Sequence, residues 1–390
     1  MLWAGSEGAE RLPADRSVNS VDRAAFRAAL LRFFDKNRRP LPWRQDRDPY
    51  RVLVSEVMLQ QTRVQSVIPY FERWMERFPD VWALAEADEQ EVLRSWQGLG
   101  YYARARNLHM AAREIVEKLG GRIPCDPDEL QALPGIGVYT AGAVASIAFR
   151  VVVPAVDGNA RRVLSRLMDD PSPSQAALQR WATHLVDPEL PGDFNQALME
   201  LGSGVCMPRA PRCGICPVQR FCAAREAGTQ EVRPAPHAQR PIRSVVHALA
   251  ILAWEAPDGR RVLLRRRPPT GLLGGLWEFP NTEVPSRQSP DETALAVAST
   301  FTAPTAIGAV GIRVDPGSAD RLPSLEHVFT HMRVRYIPFV FTAWPESPEP
   351  GWREEMRWVD RAGAAELPIS SAQLKLLDRI LESNLETPSV

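Results

Sequence analysis

The sequence predicts a multi-domain protein, an all-helical domain followed by an α/β domain, and three observations carry that prediction. From Val21 to Arg225 apolar residues recur at three- and four-residue spacing between short Gly/Pro breaks, the period of amphipathic helices. Residues 226–243 contain Pro234, Pro236 and Pro241 and read as an extended linker. From Ser244 the texture turns β-branched and apolar, with strand candidates at Val245–Ala253, Arg261–Arg265, Val328–Arg335 and Ile337–Ala343, and a helix at Ser370–Glu382. The expected organisation is a disordered tail over 1–20, a helical domain over 21–225, the linker, an α/β domain over 244–382 and a short tail over 383–390.

Composition bounds the function. A chain of 390 residues is long for one core. Its formal charge is zero, which excludes a uniformly basic nucleic-acid binder but leaves room for a local basic face. The N-terminus lacks an apolar core of signal-peptide length, and the most apolar stretch, Ala141–Val156, is interrupted by Arg150 and Pro154. No membrane partner is expected. Five cysteines, four of them clustered, fit metal binding in a reducing compartment better than a disulfide framework.

Taken in order, the first chemical candidate is Asp48-Pro-Tyr-Arg-Val-Leu-Val-Ser-Glu-Val-Met-Leu-Gln-Gln-Thr62. Asp48 caps and Pro49 opens a helix, and Glu56 falls inside an apolar run. It is either the edge of a polar face or a buried carboxyl whose pKa rises toward that of a general acid. Next, Trp96-Gln-Gly-Leu-Gly-Tyr-Tyr-Ala-Arg-Ala-Arg joins a glycine loop to two aromatics and two arginines. Half-buried packing explains such tyrosines, and so does an aromatic wedge in a base step with arginines on phosphate.

Leu133 to Asn159 organises the helical domain. Asp126 caps a short helix with Pro127 at its first position, Pro134-Gly135 breaks it, and Gly137 feeds a second helix, Val138–Phe149, whose first N–H groups suit a phosphate. Asp157 follows in Val-Asp-Gly-Asn159, a turn-like sequence that can aim a side chain outward. A plain helix–helix connection with a capping Asp is the alternative. Cys206, Cys213, Cys216 and Cys222 have spacers of six, two and five residues. Zinc remains open on spacing alone, but a single Cys-x-x-Cys favours an iron–sulfur cluster. Cys125 lies outside this set and reads as a buried thiol.

These motifs resemble the MutY-type adenine DNA glycosylases of the helix-hairpin-helix superfamily. The string Ser-Glu-Val-Met-Leu-Gln-Gln-Thr resembles their catalytic helix, and the resemblance makes Glu56 the acid that protonates adenine. Gln60, Gln61 and Thr62 are then placed at the opened base pair, and Tyr101 is the residue that intercalates beside the damaged guanine. The hairpin amides around Gly135 and Gly137 (helix-hairpin-helix near 126–149) hold a DNA phosphate. Asp157 faces the anomeric carbon, and Asn159 orients that carboxylate or caps the next helix.

The related endonuclease III type carries an amine nucleophile where this chain has Tyr139, so strand-cleaving lyase chemistry is not expected. The cysteine pattern over 206–222 resembles the 4Fe–4S loop of the same relatives. Further on, Gly271-Leu-Leu-Gly-Gly-Leu-Trp-Glu-Phe-Pro280 resembles the opening of a Nudix fold without its magnesium-binding glutamates; only Asp291 and Glu292 stand nearby. Phe329-Thr330-His331 resembles the Phe-Ser-His loop that senses 8-oxoguanine, with Thr in place of Ser.

The resemblance thus implies an all-α glycosylase domain with an iron–sulfur loop and an α/β Nudix-like recognition domain. It implies a monofunctional base-excision-repair enzyme acting on double-stranded DNA with adenine opposite 8-oxoguanine or guanine. A monomer is expected, cytoplasmic and, in a bacterium, nucleoid-associated.

Overall fold

The computed structural model describes residues 20–236, 241–301, 312–330, 332–345 and 355–382. The expected tails, apart from Ser20, lie outside the described residues. Among these residues no helix is long and apolar enough to cross a membrane. The chain forms two compact units that are not contiguous in sequence: Met1–Ala85 with Met110–Ala238, and Glu86–His109 with Gln239–Val390. The linear pattern placed 86–109 with the other helices, because periodicity reports element type and not which core an element joins.

The helices are α1 (Ser20–Asn37), α2 (Pro49–Leu59), α3 (Val64–Arg77), α4 (Val81–Glu86), α5 (Glu89–Ser95), α6 (Ala103–Leu119), α7 (Pro127–Ala132), α8 (Val138–Phe149), α9 (Gly158–Leu167), α10 (Gln175–Leu185), α11 (Pro191–Gly204) and α12 (Ala223–Glu226). Local signals set their starts. Asp48 Oδ1 accepts from the Arg51 N–H at 2.9 Å ahead of Pro49, and Asp126 Oδ1 accepts from the N–H groups of Asp128 and Glu129 ahead of Pro127. In the first unit α8 packs on α2, α7 and α11, and α9 on α10, α11 and α12.

Small residues make this close packing possible. A Cβ on Gly142 of α8 would collide with the Pro154 carbonyl, and one on Gly202 of α11 would stand 2.6 Å from the Asn159 Cβ. The core between these helices holds Phe26, Leu30, Leu164, Leu178, Phe194 and Leu198, all nearly inaccessible. Each such side chain contributes about 1.5–3 kcal/mol by leaving water.

The stretch expected to be an extended linker begins as docked chain. Gln230–Val232 form a 3-10 turn, Ala235 N–H donates to the Pro171 carbonyl at 2.7 Å, and the Arg233 carbonyl accepts from Arg166 Nε at 3.0 Å. Buried Arg166 needs acceptors, and this segment supplies one.

In the second unit β1 (Arg243–Ala256), β2 (Gly259–Arg266), β3 (Trp277–Glu278) and β4 (Asn281–Glu283) precede α13 (Pro290–Ser299). Then come β5 (Ile312–Val314), β6 (Asp320–Arg321), β7 (Leu325–Val328), β8 (Met332–Pro345), β9 (Met356–Val359), α14 (Arg361–Ala365) and α15 (Ser371–Glu382). The main strand order is β3-β2-β1-β8-β5. β1 and β8 are parallel, from Arg243 opposite Met332 to Ala253 opposite Thr342, and the other pairings are antiparallel. Val245, Leu249 and Ile251 face a core shared with Leu376 and Ile380 of α15, while Ala248, Ala250 and Leu252 face one shared with Ala294 and Ala298 of α13. Burial on both faces explains why this strand reads as one apolar run.

Val328–Arg335 is not one strand. β7 and β8 form a hairpin around Phe329 and Thr330, closed by the Phe329 N–H on the Met332 carbonyl at 2.7 Å. A hairpin preserves in–out alternation along both strands, so period-two patterning hides its turn.

Candidate active site and cysteine loop

The first unit brings Glu56, Gln60, Gln61, Thr62, Tyr139, Asp157 and Asn159 to one cleft of about 1030 Å³. Glu56 lies on α2, 5% exposed, and Tyr139, in the first turn of α8, donates its hydroxyl proton to Glu56 Oε2. Burial pushes the Glu56 carboxyl up to about 7. The Tyr139 hydrogen bond and the Arg44 charge oppose that rise, and the Asp157 charge adds to it. Burial raises the Tyr139 hydroxyl well above the ordinary tyrosine value, with the two carboxylates pushing the same way.

Asp157 is the N-cap of α9. Its Oδ1 accepts from the Ala160 N–H at 2.7 Å and its Oδ2 from Asn159 Nδ2 at 2.8 Å. Burial raises its pKa, and these donors, with the Arg162 charge, pull it back toward the anion. The cap is therefore Asp157 itself, and Asn159 orients the carboxylate. Asn159 is held in turn: Arg162 Nη2 donates to Asn159 Oδ1 at 2.9 Å and to the Gly202 carbonyl at 2.8 Å, while Arg162 Nε donates to the Cys206 carbonyl at 2.8 Å. Past α2, Gln60 Nε2 donates to Thr140 Oγ1 at 3.2 Å and Gln61 adopts φ 56°, a left-handed geometry uncommon outside glycine.

The hairpin between α7 and α8 requires glycine at one position. Gly135 has φ 74°, whereas Gly137 has φ −92° and a Cβ there would meet nothing within 4 Å. Gly137 is therefore under no steric demand for glycine: it sits in extended backbone as the N-cap of α8, with no side chain capping that terminus.

The four clustered cysteines line a separate cavity of about 30 Å³. Buried Arg166 donates from Nη1 to Cys206 Sγ at 3.1 Å and to the Met207 carbonyl at 2.8 Å. Burial pushes the Cys216 thiol up to about 11 and raises Cys222 as well, the neighbouring thiolates adding to both. Four soft donors lining one cavity, with Cys216 and Cys222 raised by burial, fit a cationic iron–sulfur core. Cys125 stands apart and is exposed, not buried as expected from its residue type.

In the second unit Tyr101 has φ 49° and shares a hydrogen bond with Thr330 Oγ1 through its hydroxyl. Phe329 stacks edge-on against His327 at 4.5 Å. His331 lies outside the described residues. Glu292 accepts from the Ser289 N–H at 2.8 Å and donates its own N–H to Ser289 Oγ, so it closes a capping box on α13.

Sequence reasoning missed Arg44, Glu200 and Arg162. Glu200 is buried between Arg39 and Arg44, at 2.5 and 3.1 Å, on the wall of the cleft. A Glu six residues before a metal-type cysteine and an Arg in Pro42-Trp43-Arg44 carried no spacing signal.

Residues 54–186 match the HhH-GPD superfamily base excision DNA repair protein family, residues 206–222 the iron-sulfur binding domain of endonuclease III, and residues 250–379 the NUDIX domain. The adenine DNA glycosylase of Rattus norvegicus is 36% identical over 93% of this chain and 79% of its own length. The chain belongs to the adenine DNA glycosylase family. The Homo sapiens family member is 36% identical over 90% of this chain and 73% of its own, and the Mycolicibacterium smegmatis one 45% identical over 51% and 69%. A solved thermostable thymine-DNA glycosylase superposes with a TM-score of 0.50 at 30% identity, covering 53% of this chain and 97% of that one. This adenine DNA glycosylase family member is a DNA N-glycosylase with a 4Fe–4S cofactor.

Proposed function

We propose that the protein hydrolyses the N-glycosidic bond of adenine standing opposite 8-oxoguanine or guanine in duplex DNA, and leaves the strand intact. The observation that carries this reading is two carboxyls lining one cleft, Glu56 buried and Asp157 half-buried, with divergent surroundings. Burial pushes Glu56 up to about 7 with only a hydroxyl donor on it, whereas the burial that also raises Asp157 is opposed by the Ala160 and Asn159 hydrogen bonds and the Arg162 charge, which favour its anion.

Adenine flips from the stack into the cleft, at a cost of a few kcal/mol. Glu56 gives its proton to the base at N7. The bond from C1′ to N9 breaks, its electron pair leaves with adenine, and positive charge develops on the sugar. Asp157, held by Asn159, stabilises that cation. Water adds at C1′ and returns a proton to Glu56. Tyr139 has no amine to form a Schiff base, so the product is an abasic site and not a nick.

Gly135, Gly137 and the uncapped N–H groups of α8 bind a phosphate. Cys206, Cys213, Cys216 and Cys222 hold the cluster, which ties the loop beside α9 together. Gln60, Gln61 and Thr62 line the opened pair, Tyr101 enters the stack, and Phe329, Thr330 and His331 read the lesion. A hydroxyl at Thr330 can serve either edge of the changed base, at about 1–3 kcal/mol of discrimination.

Incubation with duplexes holding A:8-oxoguanine, A:G or A:T, with and without later alkali, tests the reading. Adenine loss from the first two with nicking only after alkali is expected. Nicking without alkali assigns a lyase instead, and binding with no base loss removes the catalytic assignment.

A further inference from the structure

We propose that the glycine turn Gly274–Trp277 is a socket that sets the position of Tyr101, with Gln90 as the positioning residue. The inference rests on the reading of Tyr101 as the side chain that enters the stack beside the lesion. Tyr101 is 43% exposed in a loop between α5 and α6, and both flanks of that loop are tied to the same turn.

On the near side, Gln90 of α5 uses both ends of its amide: Oε1 accepts from Trp277 Nε1 at 2.8 Å and Nε2 donates to the Gly275 carbonyl at 3.2 Å. On the far side, Arg106 of α6 donates to the Gly274 carbonyl. Gly275 has φ 78°, and a Cβ there would come to 3.2 Å from Leu93 Cδ1 and 3.4 Å from Glu89 Oε1, so α5 sits directly against the turn. Gln97 Oε1, in the loop, accepts from the Ile369 N–H at 3.1 Å.

The loop is also braced within itself. Trp96 Nε1 donates to the Gly100 carbonyl at 3.0 Å, and the Arg104 guanidinium lies over the Trp96 and Tyr101 rings. A positive φ at Tyr101 persists only where surroundings over-determine it. Two anchors on the flanks and Thr330 at the tip do so. The glycine turn therefore acts through two backbone carbonyls and the Trp277 indole N–H, on a helical segment of this chain. Both ends of the Gln90 amide are engaged within the protein, so Gln90 fixes the angle at which Tyr101 meets the base step.

The test measures single-turnover excision from A:8-oxoguanine and A:G duplexes, and the emission of a fluorescent base placed beside 8-oxoguanine as the enzyme binds. In Gln90→Leu both polar partners are lost. Preference for A:8-oxoguanine over A:G should fall about three- to tenfold, and the emission change should shrink, with the A:G rate unaltered. Gln90→Glu keeps the acceptor for Trp277 and should fall between. Unchanged preference and emission in a folded Gln90→Leu protein would overturn the proposal. An equal loss on both duplexes would too, since it marks general damage. A wild-type enzyme with no preference for 8-oxoguanine would instead remove the underlying reading of Tyr101.

Discussion

Glu56 in the cleft and Glu278 in the sheet are the same residue at nearly the same burial, 5% and 4% exposed. Glu278 is matched by cations: Arg265 Nη2 lies 3.1 Å from one oxygen and Arg267 Nη1 2.7 Å from the other. Glu56 receives a neutral hydroxyl from Tyr139 and faces the carboxylate of Asp157. Burial alone therefore does not make a general acid. A carboxylate clamped between two guanidiniums holds structure, whereas Glu56, buried with a weak donor and a like charge, is pushed up to about 7.

The largest expected effect separates these two residues. Glu56→Gln should slow single-turnover adenine excision by about 10²–10⁴-fold while leaving duplex binding intact, the range for losing a positioned acid. Glu278→Gln should leave A:G excision within a few-fold. It should instead lower the stability of its unit by about 1–3 kcal/mol, a figure discounted because both arginines are partly exposed. Chemical denaturation read alongside excision tells them apart. A Glu278→Gln enzyme as slow as Glu56→Gln would end the distinction.

A smaller effect concerns pH. In its proposed role Glu56 can give up a proton only while protonated, so excision should fall as pH rises through about 7. The Tyr139 hydrogen bond favours the charged form and lowers the Glu56 pKa. Tyr139→Phe should therefore move the basic limb of the rate profile to higher pH while reducing the plateau. Linkage has the same sign: a folded pKa above the unfolded one makes stability fall as pH rises from about 4.5 to 7. Glu56→Gln should be the more stable protein at pH 8, by up to about 3 kcal/mol, with little difference at pH 4. A basic limb that stays in place in Tyr139→Phe would detach the hydroxyl from Glu56.

Much of this was legible in sequence because it was written in local signals. Asp48-Pro49 and Asp126-Pro127 marked helix starts, and Glu56 announced itself as a charge in an apolar run. Cys206, Cys213, Cys216 and Cys222 carried their spacing openly. What was not legible depends on contacts across the chain. Arg162 joins Asn159 to the Cys206 carbonyl, and Arg44 meets Glu200 across more than 150 residues, pairings that no period reports. The grouping of Glu86–His109 with the C-terminal strands was hidden for the same reason, whereas the break within Val328–Arg335 was masked by alternation that runs through the hairpin.

The smallest effect contrasts two glycines of the hairpin. Gly135 has a left-handed φ of 74°, so Gly135→Ala should cost the fold about 1 kcal/mol. Gly137 has an ordinary φ, and its Cβ would meet nothing in the protein. Gly137→Ala should leave the denaturation midpoint unchanged within error. Its methyl group would project at the uncapped start of α8, where the N–H groups are proposed to meet a phosphate. Duplex affinity should therefore weaken a few-fold, equally for A:8-oxoguanine and A:G, because a phosphate contact carries no base information. The rate of excision from saturated complex should stay unchanged. Should Gly137→Ala bind as tightly as wild type, the phosphate must be held elsewhere on the first unit, and the open space at Gly137 would have no role in binding.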